Sequence, residues 1–103
     1  MIPLLLKPAA EATLQNALGT LGIKLKNYKL YGTSACHLCE LAQAMIMAEE
    51  PLRADLIVEN VDISESEILM ERYGLRIPVL QHPDGRELDW PFTQEHLRKL
   101  LSA

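Results

Sequence analysis

A short β-prone run, Tyr28-Lys-Leu-Tyr31, closes at Gly32 and gives way within four residues to a helical segment that starts at Cys36-His37-Leu38-Cys39. This junction constrains the fold most. A strand that turns at once into a helix has to bury one face of that helix against its own sheet. Thr33 and Ser34 offer capping oxygens, and the helix is expected from Cys36 to Glu49, with Pro51 stopping it. Leu38, Leu41, Ala42, Met45 and Ile46 give that helix a broad apolar face suited to packing on a sheet. Leu56-Ile57-Val58 and Val61-Asp62-Ile63 then form a nearly continuous apolar segment, the pattern of a strand buried on both faces in a parallel sheet. The first unit is therefore βαβ.

Downstream, Ser64 and Glu67 have capping-box spacing, Ile63 and Ile68 sit where a hydrophobic staple would, and Gly74 closes the segment. A helix over Glu65–Tyr73 follows. Pro78 starts a short strand, Val79-Leu80-Gln81, and Pro83-Asp84-Gly85 turns the chain into Glu87-Leu88-Asp89-Trp90, an antiparallel hairpin. The last helix has Thr93 as its cap and Phe92 with Leu97 as its staple. Leu97, Leu100 and Leu101 point inward there, and Arg98 and Lys99 lie near the negative end of the dipole. Trp90 and Phe92 are expected to fill the core between hairpin and helix. From Tyr28 the order is β-α-β-α-β-β-α, an α/β domain over residues 28–103. Residues 1–27 read as an N-terminal extension, an amphipathic helix opened by Pro8 with Leu14, Leu18 and Leu21 on one face, followed by a connector or edge strand at Ile23–Asn27.

With 103 residues, 49% of them hydrophobic, the chain has enough material for one domain with a core that needs no covalent staple. A net charge of -4, without any Lys/Arg cluster, argues against nucleic acid or an anionic membrane as a partner. Leu4-Leu5-Leu6, like every other apolar run in the chain, is far from a membrane span, and Met1–Leu6 has no basic flank of a signal peptide, so a cytoplasmic location is expected.

Cys36 and Cys39 are three apart, so a bridge between them closes a loop too short to constrain the unfolded chain. Their use is chemical. At a helix start, unpaired N–H groups and the positive dipole end favour a thiolate, which should bring Cys36 below the roughly 8.5 of a free thiol and make it a nucleophile. Cys39, one turn further in, is placed to resolve a mixed disulfide. His37 can add to the tuning of Cys36 when protonated. Three other readings stay open: two buried thiols on a helix face, zinc held with His37, His82 or His96 at spacings that match no standard finger, or a cluster shared through Cys36 with an outside thiol.

Residues 28 to 101 resemble the thioredoxin superfamily, and within it the small glutaredoxin-like proteins of the DUF836 type. The resemblance is carried by Tyr31-Gly-Thr-Ser-Ala-Cys36-His-Leu-Cys39, Val61-Asp-Ile63, Arg72-Tyr-Gly-Leu-Arg-Ile-Pro-Val-Leu80 and Asp89-Trp-Pro-Phe92. It implies a thioredoxin-like fold with a central four-stranded mixed sheet flanked by helices. It also implies that Pro78 is cis, beside the cysteines, and that Ile77 and Pro78 present the backbone to a thiol substrate. The implied function is dithiol oxidoreduction, with Cys36 as nucleophile and Cys39 as resolving thiol, acting on a disulfide-containing protein or a low-molecular-weight thiol. A non-catalytic thioredoxin-fold adaptor is the alternative. Glutaredoxins that hold glutathione carry Cys-Pro-Tyr-Cys and a Gly-Gly-x-Asp turn; this chain has His37-Leu38 and Asp89-Trp90-Pro91-Phe92 in their places, so no cofactor is expected, with glutathione as the alternative ligand. The histidine spacings give no metal site either. Residues 1–27 are a candidate arm for a protein partner.

Overall fold

The strand expected at Tyr28–Tyr31 is longer at both ends and forms β1 (Lys26–Gly32) of a computed structural model that describes residues 24–103. It is followed by α1 (His37–Glu49), β2 (Leu56–Asp62), α2 (Glu67–Tyr73), β3 (Val79–Gln81), β4 (Glu87–Asp89) and α3 (Gln94–Ser102), with 3-10 turns at Glu50–Leu52 and Ile63–Glu65. The expected helix opened by Pro8 lies outside the described residues. Among the described residues, no helix is long and apolar enough to cross a membrane.

The four strands form one mixed sheet in the order β2-β1-β3-β4. β1 runs parallel to β2, with Tyr28 opposite Val58, and antiparallel to β3, with Leu30 opposite Leu80. β3 and β4 make the expected hairpin. Its turn closes with Gly85 N–H donating to the His82 carbonyl at 2.9 Å, and Gly85 has φ 100, a region that a side chain resists.

Strand alternation sends β1 residues to two separate cores. On one face Tyr28, Leu30 and Leu80 pack with Ala42 and Ile46 of α1 and with Phe92, Leu97 and Leu101 around α3. On the other, Tyr31, Ile63, Tyr73 and Val79 form a smaller cluster with α2. Thr93 caps α3 as expected, its Oγ1 accepting from His96 N–H at 3.0 Å, and Phe92 and Leu97 are buried together. Leu100 packs at the edge of the same cluster, and Trp90, half-buried, stands edge-on to Phe92.

Four local expectations are corrected. β2 is an edge strand, with Glu59 and Asn60 exposed and its other residues half-buried, because β1 takes the central place in the sheet. Leu38 and Leu41 are exposed; the buried face of α1 is Cys39, Ala42, Ile46 and Glu49, rotated by about one residue from the apolar stripe. Ser66, not Ser64, caps α2, its Oγ accepting from Leu69 N–H at 3.3 Å. Asp62 caps the preceding 3-10 turn instead, with Ser64 donating to it, and this extra turn carries Ile68 out to solvent, so it makes no staple with the buried Ile63.

Glu49, buried at the end of α1, accepts from Gln94 Nε2 at 2.8 Å and from Arg98 Nε at 2.9 Å. These two hydrogen bonds hold its carboxyl below the usual range and tie α1 to α3. Arg98 thus serves a buried carboxylate on the neighbouring helix, beyond its expected place at the dipole end.

Candidate active site

β1 ends at Gly32, and the chain turns through Thr33–Ala35 into α1. The turn hydroxyls do not cap the helix. Cys36 does: it sits at the N-cap in extended conformation, and its Sγ accepts from Cys39 N–H at 3.0 Å. Cys36 is bonded to Cys39 as a disulfide, with the Cα atoms 5.2 Å apart. Cys36 is half-exposed and Cys39 buried.

Gly32 is where the sheet meets the dithiol. A Cβ at that position would lie 2.8 Å from Cys39 Sγ, inside contact distance, so the bare backbone is what lets the sulfur rest on the strand. Extending the register that sets Tyr31 opposite Val79 by one residue places Pro78 beside Gly32. Pro78 is buried and its bond to Ile77 is cis; the Trp90–Pro91 bond is cis as well, which no sequence pattern signals.

The Ile77–Pro78 segment is held from behind. Arg76 Nε and Nη2 donate to the two carboxylate oxygens of Asp89 at 3.0 and 2.7 Å, and Nη2 also reaches Glu87 Oε1 at 2.7 Å. The same Arg76 hydrogen bonds keep the Asp89 carboxyl below the usual range. Tyr73 donates to Glu87 Oε2 at 2.6 Å and stacks on Tyr31, with ring centroids 4.1 Å apart. No apolar pattern signals this network, since it joins charges, Arg76, Glu87 and Asp89, that have no periodic spacing.

Burial, and then the Glu87 hydrogen bond, push Tyr73 up to about 12 from its ordinary 10.0. The folded value lies above the unfolded one, so this contribution to stability is fully present below pH 10.0 and is lost as pH rises from there toward about 12. Tyr73→Phe should cost about 1 kcal/mol near neutrality, the net worth of a typical hydrogen bond. The gap between parent and variant in denaturant midpoint should close across that alkaline window; a gap that is constant with pH would contradict the assignment.

His37 is exposed and its Nδ1 faces Glu40 Oε2 at 3.5 Å. His82 is engaged elsewhere, its Nδ1 accepting from Asp84 N–H at 3.0 Å. Among the described residues, no three His, Cys, Asp or Glu side chains converge as metal ligands would.

A cavity of about 370 Å³ opens between α1 and β2, with Cys36 and Cys39 in its wall. Ile77 and Pro78 are not part of its lining. Since β2 and β3 flank β1 on opposite sides, the cavity and Pro78 approach the dithiol from opposite directions.

The model of the glutaredoxin-like domain (DUF836) matches residues 27–102. The chain belongs to this glutaredoxin-like family. The X-ray structure of protein XcR50 from X. campestris is 40% identical, with a TM-score of 0.63 and alignment over 73% of this chain and 95% of that one. Protein Ne2328 from Nitrosomonas europaea, at 24% identity and a TM-score of 0.64 over 75% of this chain and 92% of the other, shares the fold. So does thioredoxin O2 from Arabidopsis thaliana, solved in the oxidized state, at 22% identity and a TM-score of 0.57 over 89% of this chain and 86% of that one. No curated protein matches the sequence significantly. As a glutaredoxin-like domain the chain has the thioredoxin fold that the resemblance implied, and its paired cysteines sit at the first strand-to-helix junction.

Proposed function

We propose that this glutaredoxin-like domain is a dithiol-disulfide oxidoreductase. The observation that carries the reading is Cys36 at the helix cap, its sulfur receiving the Cys39 N–H at the positive end of a 13-residue helix. In the reduced protein the Cys36 thiolate attacks one sulfur of a substrate disulfide; that S–S bond breaks, and the departing thiolate takes a proton from water. The Cys39 thiolate then attacks the Cys36 sulfur and expels the second substrate thiolate. The substrate has gained two electrons, the protein holds the Cys36–Cys39 disulfide, and an outside thiol or dithiol donor returns it to the reduced form.

Ile77 and Pro78, set beside Gly32 and braced by Arg76, present the backbone against which the substrate chain lies. His37 adds positive charge to the helix start when protonated, partly offset by Glu40. The substrate is a protein or small-molecule disulfide rather than a glutathione adduct held by its carboxylates, since Arg76, the cation next to Ile77, is taken up by Asp89 and Glu87. No cofactor is needed for this exchange.

Equilibration in defined glutathione buffers tests the reading. One reversible two-thiol transition should appear at a potential between roughly -270 and -120 mV, and thiolate absorbance should place Cys36 below the roughly 8.5 of a free thiol. A thiol that titrates like free cysteine, or cysteines that never pair reversibly, would move the assignment to an adaptor domain.

A further inference from the structure

Resting on that redox reading, we infer that the cavity between α1 and β2 is a substrate subsite for the positively charged arm of an amine-bearing disulfide. Three observations converge on it. The cavity shares its wall with both sulfurs, so a group attached within a few bonds of the attacked disulfide can enter it while Cys36 forms the mixed disulfide. At about 370 Å³ it falls at the lower end of pockets that take small ligands, large enough for one short arm or one side chain. Its lining offers Thr33, Ser34, Gln43 and Asn60 as neutral hydrogen-bonding groups and carries two charges, Glu40 and Asp62, both negative.

The charges decide the ligand. Amides and hydroxyls serve an ammonium and a carboxylate alike, whereas two carboxylates with no cation in the lining attract the first and repel the second. Asp62 is fixed as an anion by its hydrogen bonds from Ser64, which also pin its orientation. Glu40 stands exposed at the first turn of α1, with His37 as its neighbour. The site is separate from the Pro78 side of the dithiol, so a substrate can be gripped on both flanks of Cys36 at once.

Single-turnover oxidation of the reduced protein is the test, with cystamine (cationic), hydroxyethyl disulfide (neutral) and glutathione disulfide (anionic), each rate divided by that of dithiothreitol with the same compound. Cystamine should react about tenfold faster than glutathione disulfide at low salt, with hydroxyethyl disulfide between them. The preference should shrink as salt rises to about 1 M, where screening acts within about 3 Å. Glu40→Gln should lower the cystamine preference at least about twofold, while Glu71→Gln, the same charge loss on α2 across the sheet, should not. An oxidised Lys-Cys dipeptide that outpaces cystamine would assign the arm to a lysine beside a protein cysteine; the reverse order would assign it to a small aminothiol. Equal normalised rates for the three compounds, or an equal response to the two Gln variants, would overturn the subsite and leave the redox reading standing. Failure of all three compounds to oxidise the dithiol would overturn the redox reading itself.

Discussion

Cys36→Ser is expected to bring disulfide exchange down to the uncatalysed background, whereas Cys39→Ser should leave the first attack intact and accumulate a mixed disulfide on Cys36. The asymmetry follows from the cap. The group that favours a Cys36 thiolate is the backbone N–H of residue 39 together with the start of α1, and neither depends on the Cys39 side chain. Serine at 39 therefore keeps the nucleophile activated and removes only the thiol that releases the adduct. Serine at 36 keeps a capping oxygen and so the helix, but a hydroxyl cannot take part in exchange with a disulfide. Mass spectrometry of each variant after incubation with hydroxyethyl disulfide separates the outcomes: a stable adduct on Cys39→Ser and none on Cys36→Ser. Turnover by both variants at the parent rate would make the dithiol incidental and favour the adaptor reading.

The elements carried by strong periodicity or by turn chemistry were legible in the sequence. The hairpin turn at Gly85, the Thr93 cap, the Phe92 and Leu97 contact and the order of strands and helices all rest on local rules that the structure obeys. What was not legible depends on the neighbours an element acquires in the sheet. Leu56-Ile57-Val58 has the composition of a doubly buried strand, but that run ends in Glu59 and Asn60, and the sheet order leaves β2 at an edge. Leu38 and Leu41 are as apolar as the residues that α1 buries. The helix is instead rotated to place Cys39 on Gly32 and Glu49 on Arg98, two contacts between residues distant in sequence. The capping box at Ser64 and Glu67 was undone by Asp62, a competing cap two residues earlier that spends one turn of chain on a 3-10 helix.

The site divides along the same line. The cysteine pair and its place at the strand-to-helix junction follow from spacing and order, so they could be read directly. The Arg76 brace behind Ile77 and Pro78 could not, because it joins a loop to β4 through charges with no periodic signature. The cavity exists only once α1 is packed on the face of the sheet alongside β2, its edge strand. Three features that no motif records thus surround one that the spacing of the cysteines makes plain: a glycine floor under Cys39, a braced loop on one flank and an acidic cavity on the other.

Gly32→Ala tests the first of these, and its effect should be large for the addition of one methyl group. Gly32 has no positive φ, so alanine suits its backbone and the entire cost is steric. The new Cβ would lie 2.8 Å from Cys39 Sγ and 3.3 Å from Cys39 Cβ. Cys39 is buried and, in the oxidised protein, tethered to Cys36, so it cannot swing aside as the tip of an exposed chain would. Relief requires β1 or the first turn of α1 to move, and overpacking of this kind costs about 1–3 kcal/mol. Displacing Cys39 should also slow resolution, so the variant is expected to show a lower denaturant midpoint and a longer-lived mixed disulfide in single turnover. Gly85→Ala supplies the contrast. Gly85 has φ 100 and an added methyl there would meet nothing within 4 Å, so its cost is conformational, about 1–2 kcal/mol, and resolution should proceed at the parent rate. Equal resolution rates in the two variants would mean that Gly32 is a strand residue with no part in placing the thiol.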